Sequence, residues 1–321
     1  MTKKELIINY SNDEIIEAYL DNYKNSKDSV KMRKHSLNYF FDEKYFGFSK
    51  KKGHISNISK SDLYKYFNYL KELNLTLRTK KNKWNIINSF IQVCMEFYDD
   101  FVIKVPKKTI DWGPNHKDSN SNKNIIATEE ELKKILDYLF EQNFKYYLIF
   151  RMFYETGMRK SELRNAEYQN INLDMRYIWV KGKTGRQIYF FSKDYAKYVA
   201  IYLETRKQLK VDVQYLFLTR KFSKYSDRSF NTVLKGSKTK DKNGKPVEFK
   251  GVLERLGIQK DITCHTFRRT LNTLRKKKLD CSLEDRKILL GHKTNDVNTD
   301  SYTIFDFQEK LALYDKYYPY F

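Results

Sequence analysis

The chain contains few of the residues that usually build metal sites and disulfide frameworks. Its 321 residues include three cysteines and five histidines. Because Cys94, Cys264 and Cys281 lie far apart and form no CxxC pair, the sequence supports neither a zinc site nor a disulfide framework. We expect three reduced thiols, which is typical of a cytoplasmic protein, and each histidine can be considered individually.

Long apolar runs are also missing from the sequence. No stretch reaches the roughly 18–20 uninterrupted apolar residues that a membrane-spanning helix needs. The N-terminal segment, MTKKELIINYSNDEIIEAYL, contains no apolar core of the kind found in signal peptides. The sequence therefore predicts a cytoplasmic protein without a membrane span.

Negative charge is scarce relative to positive charge. The chain has 62 lysine and arginine residues against 40 aspartate and glutamate residues, a formal net charge of +22, and its isoelectric point is about 9.5. A field of this sign attracts polyanions such as DNA, RNA and anionic membranes. Together with the aromatic content it favours a nucleic acid, although a soluble protein from a lysine-rich proteome would show the same charge.

The first hundred residues predict helices and few strands. Residues 12–23 place apolar side chains on one stripe, and residues 28–42 continue in the same way. We expect Ser61 to cap a third helix, and a fourth helix to run from about Thr76 to Tyr98. Its expected buried face contains Trp84, Ile87, Phe90, Ile91 and Cys94.

Periodicity is lost over residues 104–124, which contain two prolines and a run of asparagine and serine. This composition is typical of a linker, either a plain solvated tether or a basic segment that follows a DNA backbone. The sequence therefore predicts an all-α, DNA-binding domain over residues 1–103, a linker over 104–124, and a second domain over 125–321 that includes a C-terminal helix or tail.

The second domain combines helices with a small amount of strand. Thr128 and Glu131 have the spacing of a capping box, and Gly157 can end the apolar helix that precedes it. The strings RYIWV and RQIYFF alternate around KGKTG, which predicts a β-hairpin.

Helices are expected to return after the hairpin, at about 194–209 and 226–235. Residues 236–251, GSKTKDKNGKPVEFKG, are expected to form a polar loop, and the remainder is expected to be helical. The predicted fold class is therefore mainly α with a small β-hairpin or sheet: an all-α N-terminal domain followed by an α+β domain.

Two basic side chains lie where an anion could be bound. In TGMRKSEL one helix ends and another begins beside Arg159, where helix N-terminal amides favour an anion. Its guanidinium also fits phosphate oxygens. A lysine in the turn KGKTG could donate a proton, and Lys181 and Lys183 are both candidates. Each of these side chains could equally be an ordinary solvated residue.

Two histidines, an arginine and a tyrosine complete the candidates. His265 and Arg268 have the spacing to share one face in the first turn of a helix that Thr263 is expected to cap. His292 follows the glycine that stops a helix, where an ordinary cap histidine would also lie. Tyr302 is one of 26 tyrosines and is not distinguished by its type.

In their order along the chain, these residues resemble the active-site set of the tyrosine recombinase, or phage integrase, family. The resemblance rests on the strings TGMRKSEL, KGKTG, HTFRRT, LLGH and SYT and covers roughly residues 125–305. It implies a core-binding function for the N-terminal domain and similarity to the simple, two-domain, Xer-like members. The implied catalytic residues are Arg159, Lys183, His265, Arg268, His292 and Tyr302.

The chain departs from the family pattern at two places. Tyr302 follows His292 by ten residues, about one more than in many members. The polar segment 236–251 resembles an insertion before the helix that carries His265.

The resemblance implies that DNA is cut and rejoined through a 3′-phosphotyrosyl intermediate with Tyr302 as the nucleophile. Arg159 and Arg268 would hold the phosphate oxygens and stabilise the developing charge. Because guanidinium groups would take the role that a divalent ion has in many nucleases, we expect no metal ion and no cofactor. ATP is not expected either, because the phosphotyrosyl bond conserves the energy of the broken bond.

The remaining residues have implied roles around the phosphate. His265 and His292 would donate hydrogen bonds, and His265 could accept the phenol proton. Lys183 would protonate the departing 5′-oxygen, with Lys181 as its rival. Glu162 is expected to orient the site from behind, although a carboxylate on a helix surface is ordinary.

The expected partner is double-stranded DNA with inverted-repeat recombination sites, which implies a nucleoid-associated protein. The C-terminal segment, FDFQEKLALYDKYYPYF, has apolar residues near helical spacing. It could pack on its own domain, but the family resemblance favours docking on a neighbouring copy in a homotetramer.

Two other functions would share some of these features. A topoisomerase of type IB uses similar groups, but the small N-terminal domain and the LGH string favour a recombinase. A catalytically inactive DNA-binding regulator on the same fold would need positive charge but not the complete ordered set of residues.

Overall fold

The computed structural model describes residues 10–48, 53–97, 103, 112, 125–182, 185–240, 243–291 and 307–319. The chain divides into two compact units, Met1–Ser121 and Asn122–Phe321. The described residues of the first unit form helices and their connections, whereas the second unit adds small antiparallel sheets to its helices. The predicted fold class is therefore confirmed.

The helices of the first unit enclose an aromatic core. They are α1 (Asn12–Asp21), α2 (Lys27–Phe41), α3 (Lys60–Glu72) and α4 (Leu77–Phe97), with a short 3-10 helix at Ile55–Asn57. The predicted buried face of α4 is confirmed, since all five of its side chains are buried. Phe40 stacks on Phe48 with 5.0 Å between ring centroids, and Tyr19 meets Phe90 edge-on at 5.3 Å.

The prediction that Ser61 caps α3 is wrong. Ser59 is the N-cap: its hydroxyl accepts a hydrogen bond from the Asp62 amide at 3.3 Å, and the Asp62 carboxylate accepts one from the Ser59 amide at 2.9 Å. Of the two serines, only Ser59 has an acidic residue three positions later, as a capping box requires. Ser61 lies inside the first turn instead.

The second unit is organised around one buried helix. Its helices are α5 (Glu129–Gln142), α6 (Phe144–Thr156), α7 (Lys160–Asn165), α8 (Lys193–Gln208), α9 (Ser229–Lys235), α10 (Val252–Arg255), α11 (Cys264–Lys277), α12 (Leu283–Leu289) and α13 (Phe307–Lys316). Most of α6 is buried, and α5, α8 and α11 pack against it. A helix that is apolar on nearly all sides belongs in the interior. The predicted capping box of Thr128 and Glu131 at the start of α5 is confirmed.

The predicted β-hairpin is confirmed and lies in a three-stranded antiparallel sheet. The strands are β1 (Ile171–Asn172), β2 (Tyr177–Gly182) and β3 (Gly185–Phe190), in the order β1-β2-β3. β2 and β3 pair from Tyr177 opposite Phe190 to Gly182 opposite Gly185. Ile178, Val180 and Tyr189 are buried on the inner side of this hairpin.

The predicted polar loop at 236–251 is wrong, because most of this segment forms a second hairpin. Its strands are β4 (Gly236–Lys240) and β5 (Pro246–Lys250), paired antiparallel in register. The strands have little apolar alternation because the hairpin buries neither of its faces. Backbone pairing and a turn at Gly244, whose φ is 78°, therefore form this hairpin without the usual sequence pattern.

α13 covers a surface of its own unit in this single chain. Its cluster includes Phe190, Cys281 and Leu289 from the body of the unit, together with Tyr314 and Tyr318. The expectation that the C-terminal segment docks on a neighbouring copy concerns an assembly of several chains and stays a prediction.

The three cysteines are free and buried. Burial raises the pKa of the Cys94 and Cys264 thiols to about 12, so both are protonated at neutral pH. Within the described part of the chain, no helix is both long enough and apolar enough to cross a membrane.

Candidate active site

Arg159 is positioned by the junction between α6 and α7. α6 ends at Gly157, whose φ of 63° is a left-handed conformation that glycine adopts without strain. A Cβ atom there would lie 2.8 Å from Leu290 Cδ2, so the junction packs closely against the chain that follows α12. Arg159 is the N-cap of α7, and its predicted position beside a helix start is confirmed.

Glu162 holds Arg159 from the buried side. Its carboxylate accepts hydrogen bonds from Arg159 Nη1 and from the Arg159 amide, both at 2.7 Å. The hydroxyl of Tyr189 on β3 donates a third at 2.8 Å. The Glu162 side chain is 2% exposed and that of Arg159 is 35% exposed. The carboxylate therefore restricts the orientation of a guanidinium that remains open to solvent.

Arg268 ties α11 to two other segments of the site. Its buried guanidinium donates hydrogen bonds to the carbonyl oxygens of Gly157 at 2.6 Å and Leu290 at 3.0 Å. These acceptors lie two residues before Arg159 and two residues before His292, so Arg268 joins the segments that lead to both. Burial lowers the pKa of Arg268, but arginine remains charged at neutral pH because its ordinary value is so high.

His265 lies in the first turn of α11, after the predicted cap Thr263, which is confirmed. The residue keeps access to solvent, although its ring is partly covered. Partial burial and the guanidinium groups of Arg269, Arg268 and Arg159 nevertheless lower its pKa below the ordinary value of 6.5. The ring is therefore neutral at pH 7, and a neutral imidazole has a nitrogen that can accept a proton.

Three members of the predicted set, Lys183, His292 and Tyr302, lie outside the described residues. The neighbours of two of them lie at the site. A Cβ atom on Gly182 would be 3.0 Å from Glu162 Oε1, and the carbonyl two residues before His292 accepts a hydrogen bond from Arg268.

The rival general acid, Lys181, lies within the described residues. It pairs with Arg186 across the hairpin, and its side chain is exposed. The choice between Lys181 and Lys183 stays a prediction.

Sequence reasoning missed two side chains that support the site. Tyr189 binds Glu162, and Gln187 lies so near Gly291 that a Cβ atom there would be 2.2 Å from Gln187 Oε1. Alternation along β3 predicted a strand and could have identified Tyr189 as an inward residue. It could not identify the partners, because these come from α7 and from the end of α12.

Two guanidinium groups and one neutral imidazole thus belong to a single cluster at the starts of α7 and α11. Such a cluster can bind an anionic oxygen group and accept a proton nearby. Among the described residues, no group of three or more histidine, cysteine, aspartate or glutamate side chains is arranged to hold a metal ion.

A comparison with protein families identifies the chain. The model of the phage integrase family matches residues 126–308. The chain belongs to the phage integrase family. Every predicted catalytic residue, from Arg159 to Tyr302, lies inside the matched segment, and the resemblance inferred from the order of the motifs is confirmed.

Curated relatives within this family are recombinases. The chain is 26% identical over 245 residues to tyrosine recombinase XerC of Leptospira interrogans, a match that covers 75% of this chain and 72% of the relative. It is 25% identical over 235 residues to tyrosine recombinase XerA of Pyrococcus horikoshii, covering 73% of each chain.

Solved structures of recombinases share the fold. XerH bound to palindromic difH substrate in a post-cleavage complex has a TM-score of 0.64 and 18% identity, over 87% of this chain and 77% of that chain. The Tn1549 transposon integrase in complex with a circular intermediate DNA has a TM-score of 0.62 and 14% identity, over 94% and 98%. A lambda integrase tetramer bound to a Holliday junction has a TM-score of 0.53 and 12% identity, over 89% and 78%.

The chain is a site-specific tyrosine recombinase of the Xer type, by its family and its curated relatives. The predicted enzyme class is confirmed. Neither the topoisomerase-like alternative nor the inactive regulator is favoured by these findings.

Proposed function

We propose that this recombinase cuts and rejoins double-stranded DNA through a 3′-phosphotyrosyl bond to Tyr302. The observation that carries the proposal is the cluster of Arg159, Arg268 and His265, in which a buried carboxylate and two backbone carbonyls orient the guanidinium groups. A phosphodiester must lose effective negative charge before a phenol oxygen attacks it, and preorganised cations supply this stabilisation.

The chemical step assigns one role to each group. The Tyr302 oxygen forms a bond to phosphorus as the bond from phosphorus to the 5′-oxygen breaks. His265 accepts the phenol proton, and its lowered pKa keeps the ring in the neutral form that can do so at neutral pH. Lys183 gives a proton to the leaving 5′-oxygen, and His292 donates a hydrogen bond to the phosphate. Rejoining is the same exchange in reverse, so neither ATP nor a metal ion is required.

The DNA partner carries inverted-repeat recombination sites, and residues 1–103 act as the core-binding domain joined by the linker 104–124. The net charge of +22 supports a polyanionic partner, and a DNA partner supports a nucleoid-associated enzyme in the cytoplasm. The DNA-bound recombinases of the same fold support this assignment as well.

The active assembly is a homotetramer in which α13 docks on a neighbouring copy. Identical chains carry identical acceptor surfaces, so when a chain's own α13 leaves the surface that it covers, the α13 of a neighbour can take its place. The lambda integrase tetramer of the same fold supports the tetrameric state.

A suicide substrate tests the chemistry. Duplex DNA that contains the recombination site and a nick beside the cleavage position should trap a covalent protein–DNA adduct in buffer with EDTA. Tyr302→Phe should abolish the adduct while DNA affinity stays unchanged, and Tyr168→Phe, at a half-exposed tyrosine, serves as the control. An adduct in Tyr302→Phe would assign the nucleophile elsewhere, and cleavage that requires Mg²⁺ would contradict the mechanism.

A supercoiled plasmid that lacks the recombination site distinguishes the topoisomerase alternative. A site-specific recombinase should leave its supercoiling unchanged. Relaxation of this plasmid at the rate seen with a site-bearing plasmid would favour a nicking-closing enzyme.

A further inference from the structure

The second hairpin, β4–β5 (Gly236–Lys250), projects from the catalytic unit without a core of its own; it is called the ribbon below. All residues of β5 and the outer residues of β4 are exposed. Val247 and Phe249 are each 46% exposed. A two-stranded hairpin without a buried face is marginally stable in water. The exposed surface of the ribbon is therefore free to contact a partner.

The two faces of the ribbon differ in chemistry. In the antiparallel register, Lys238 lies opposite Glu248, and Ser237 lies opposite Phe249. Because neighbouring residues of a strand point to opposite faces, lysines at 238, 240 and 250 share one face with Glu248. Serine, threonine, valine and phenylalanine form the other. The whole segment carries five lysines against two carboxylates, so the basic face suits a polyanion.

The root of the ribbon is joined to the active site. The Asp227 carboxylate, just before α9, pairs with Lys160 at 3.0 Å, next to Arg159. On α9, the Asn231 side-chain oxygen accepts a hydrogen bond from the Cys264 amide at 3.1 Å, next to His265. The chain that enters the ribbon therefore contacts the starts of both helices that carry the cluster.

The direction in which the ribbon leaves the unit is restricted by two glycines. A Cβ atom on Gly251 would lie 2.3 Å from the Gly236 nitrogen and 2.3 Å from the Leu234 oxygen, so the two strands meet at the root in close backbone contact. The ribbon is thus attached at a fixed point beside the cluster of Arg159, Arg268 and His265.

We propose that the ribbon lies against the DNA duplex beside the cleavage site and that Lys238, Lys240 and Lys250 contact its phosphates. This assignment rests on the proposed function, because the duplex is placed by the scissile phosphate at Arg159 and His265. A two-stranded ribbon has the dimensions that the major groove admits. Lysine contacts to phosphate strengthen binding without selecting a base sequence.

Glu248 acts against DNA binding on this face. Its carboxylate pairs with Lys238 at 3.0 Å, and both side chains are largely exposed. A phosphate would compete with the Glu248 carboxylate for the Lys238 ammonium group. The negative carboxylate would also repel the phosphate. Removal of the carboxylate and removal of the ammonium should therefore change DNA affinity in opposite directions.

The test measures the affinity of the full chain for a 40-base-pair duplex of random sequence, by fluorescence anisotropy over a range of NaCl concentrations. The triple variant Lys238→Gln, Lys240→Gln, Lys250→Gln should bind at least 10-fold more weakly at low salt. Its slope of log affinity against log salt should be shallower by roughly 2–3, since each phosphate contact contributes about 0.9. Glu248→Gln should bind several-fold more tightly than the unmodified chain.

A matched control removes the same charge elsewhere. Lys133→Gln, Lys197→Gln, Lys207→Gln changes exposed lysines on α5 and α8, and it should lower affinity less than the ribbon variant. Equal effects in the two triple variants would overturn the proposal. So would weaker binding by Glu248→Gln, because an ion pair that only stabilises the hairpin loses its function when either partner is removed.

Two further results distinguish a DNA partner of the ribbon from a protein partner, and the DNA contact from the proposed cleavage chemistry. If the ribbon variant loses only cooperativity between two copies on a full site, the ribbon contacts a protein and the proposal is wrong. If the unmodified chain forms no covalent adduct while the ribbon results hold, the proposed chemistry fails and the DNA contact stands. Circular dichroism should give an unchanged melting temperature for each variant, since the substituted side chains of the ribbon and of the control are exposed.

Discussion

Arg159 is an exposed side chain whose orientation depends on a buried one. Glu162 receives two hydrogen bonds from Arg159 and one from Tyr189, and it is almost fully removed from solvent. A buried carboxylate is stable only when its oxygens are satisfied by donors. The pair therefore depends on both the start of α7 and the inner face of β3.

Glu162→Gln should lower the rate of adduct formation by about 10-fold or more, because small errors in the orientation of a catalytic group are costly. The amide keeps the volume but places a donor where Arg159 and Tyr189 also donate. DNA affinity should remain within about 2-fold, since the cationic groups stay in place. Single-turnover cleavage at saturating DNA and a binding titration measure the two quantities.

Tyr189→Phe is the matched control for this change, because it removes one donor and leaves the ion pair of Arg159 and Glu162 intact. We expect a smaller loss of rate. If Glu162→Gln lowered the cleavage rate, the DNA affinity and the melting temperature together, the carboxylate would only stabilise the fold.

The pKa of His265 is controlled by its neighbours as well as by burial. Arg269 is the largest of the charge effects that lower this pKa, and it lies one residue after Arg268 on α11. A cation beside an imidazole disfavours the protonated form, so its removal must raise the pKa.

Arg269→Gln should therefore move the acid limb of the cleavage rate to higher pH. The base is active when neutral, and a raised pKa leaves it protonated over more of the acidic range. A pH–rate profile under single-turnover conditions measures the shift, and NMR titration of the His265 ring checks its assignment. Arg269→Lys keeps the charge and should leave the limb in place. An acid limb that does not move in Arg269→Gln would exclude His265 as the base.

At the scale of elements, a buried carboxylate on α6 helps to hold the segment that contains α13 to its own unit, in addition to the ion pair of Arg176 with Asp315 at 2.6 Å. Glu155 accepts hydrogen bonds from the hydroxyls of Tyr314 at 2.6 Å and Tyr318 at 2.7 Å, and also from Arg151 and Ser192. Burial raises the pKa of Tyr314 well above its ordinary value, so its hydroxyl remains a donor. Hydrogen bonds to an ionised carboxylate are about twice as strong as neutral ones.

Tyr314→Phe combined with Tyr318→Phe should weaken the docking of α13 by roughly 2–4 kcal/mol, since each charge-assisted hydrogen bond contributes about 1.5–3 kcal/mol before losses. Hydrogen exchange over residues 307–319 should become faster. Tyr317→Phe is the control, because Arg275 binds the backbone carbonyl of Tyr317, which the substitution preserves. Unchanged exchange in the double variant would show that the remaining contacts, the ion pair of Arg176 with Asp315 and the apolar packing, are sufficient to hold the helix.

The same double variant examines the proposed assembly. If α13 docks on a neighbour through the same acceptor, the synaptic tetramer on DNA should also be destabilised, as measured by native gel mobility. A tetramer of normal stability would place the contact between copies elsewhere.

At the scale of the whole molecule, the excess of positive charge determines how DNA affinity depends on salt. Lysines and arginines outnumber acidic residues by 22. Binding that neutralises phosphates releases counterions, so affinity falls linearly with salt on a double logarithmic plot.

We expect affinity for duplex DNA to fall by about three to five orders of magnitude between roughly 50 and 200 mM NaCl, as for proteins that make about 6–10 phosphate contacts. Fluorescence anisotropy at several salt concentrations gives the slope. A flat dependence would show that base contacts or apolar contacts dominate.

Features that depend on neighbouring residues were predictable from the sequence. Thr128, Gly157 and Thr263 act at helix ends as predicted, because capping involves residues within about four positions. The hairpin β2–β3 was predictable from its alternation. Two local predictions were wrong: Ser61, where a second serine competed for the cap, and residues 236–251, where exposed strands lack an apolar pattern.

The sequence by itself determined the order of the chemical groups, the sign of the charge and the family. The motifs can be recognised in the sequence because each lies within one turn or one helix start, and the charge is a property of composition alone. Only the tertiary structure decided that Glu162 meets Tyr189, that Arg268 binds the carbonyls of Gly157 and Leu290, and that Glu155 accepts hydrogen bonds from two tyrosine hydroxyls, one on α13 and one just after it. Their partners lie 22 to 163 positions apart, and such pairs are formed by packing, which no local pattern encodes.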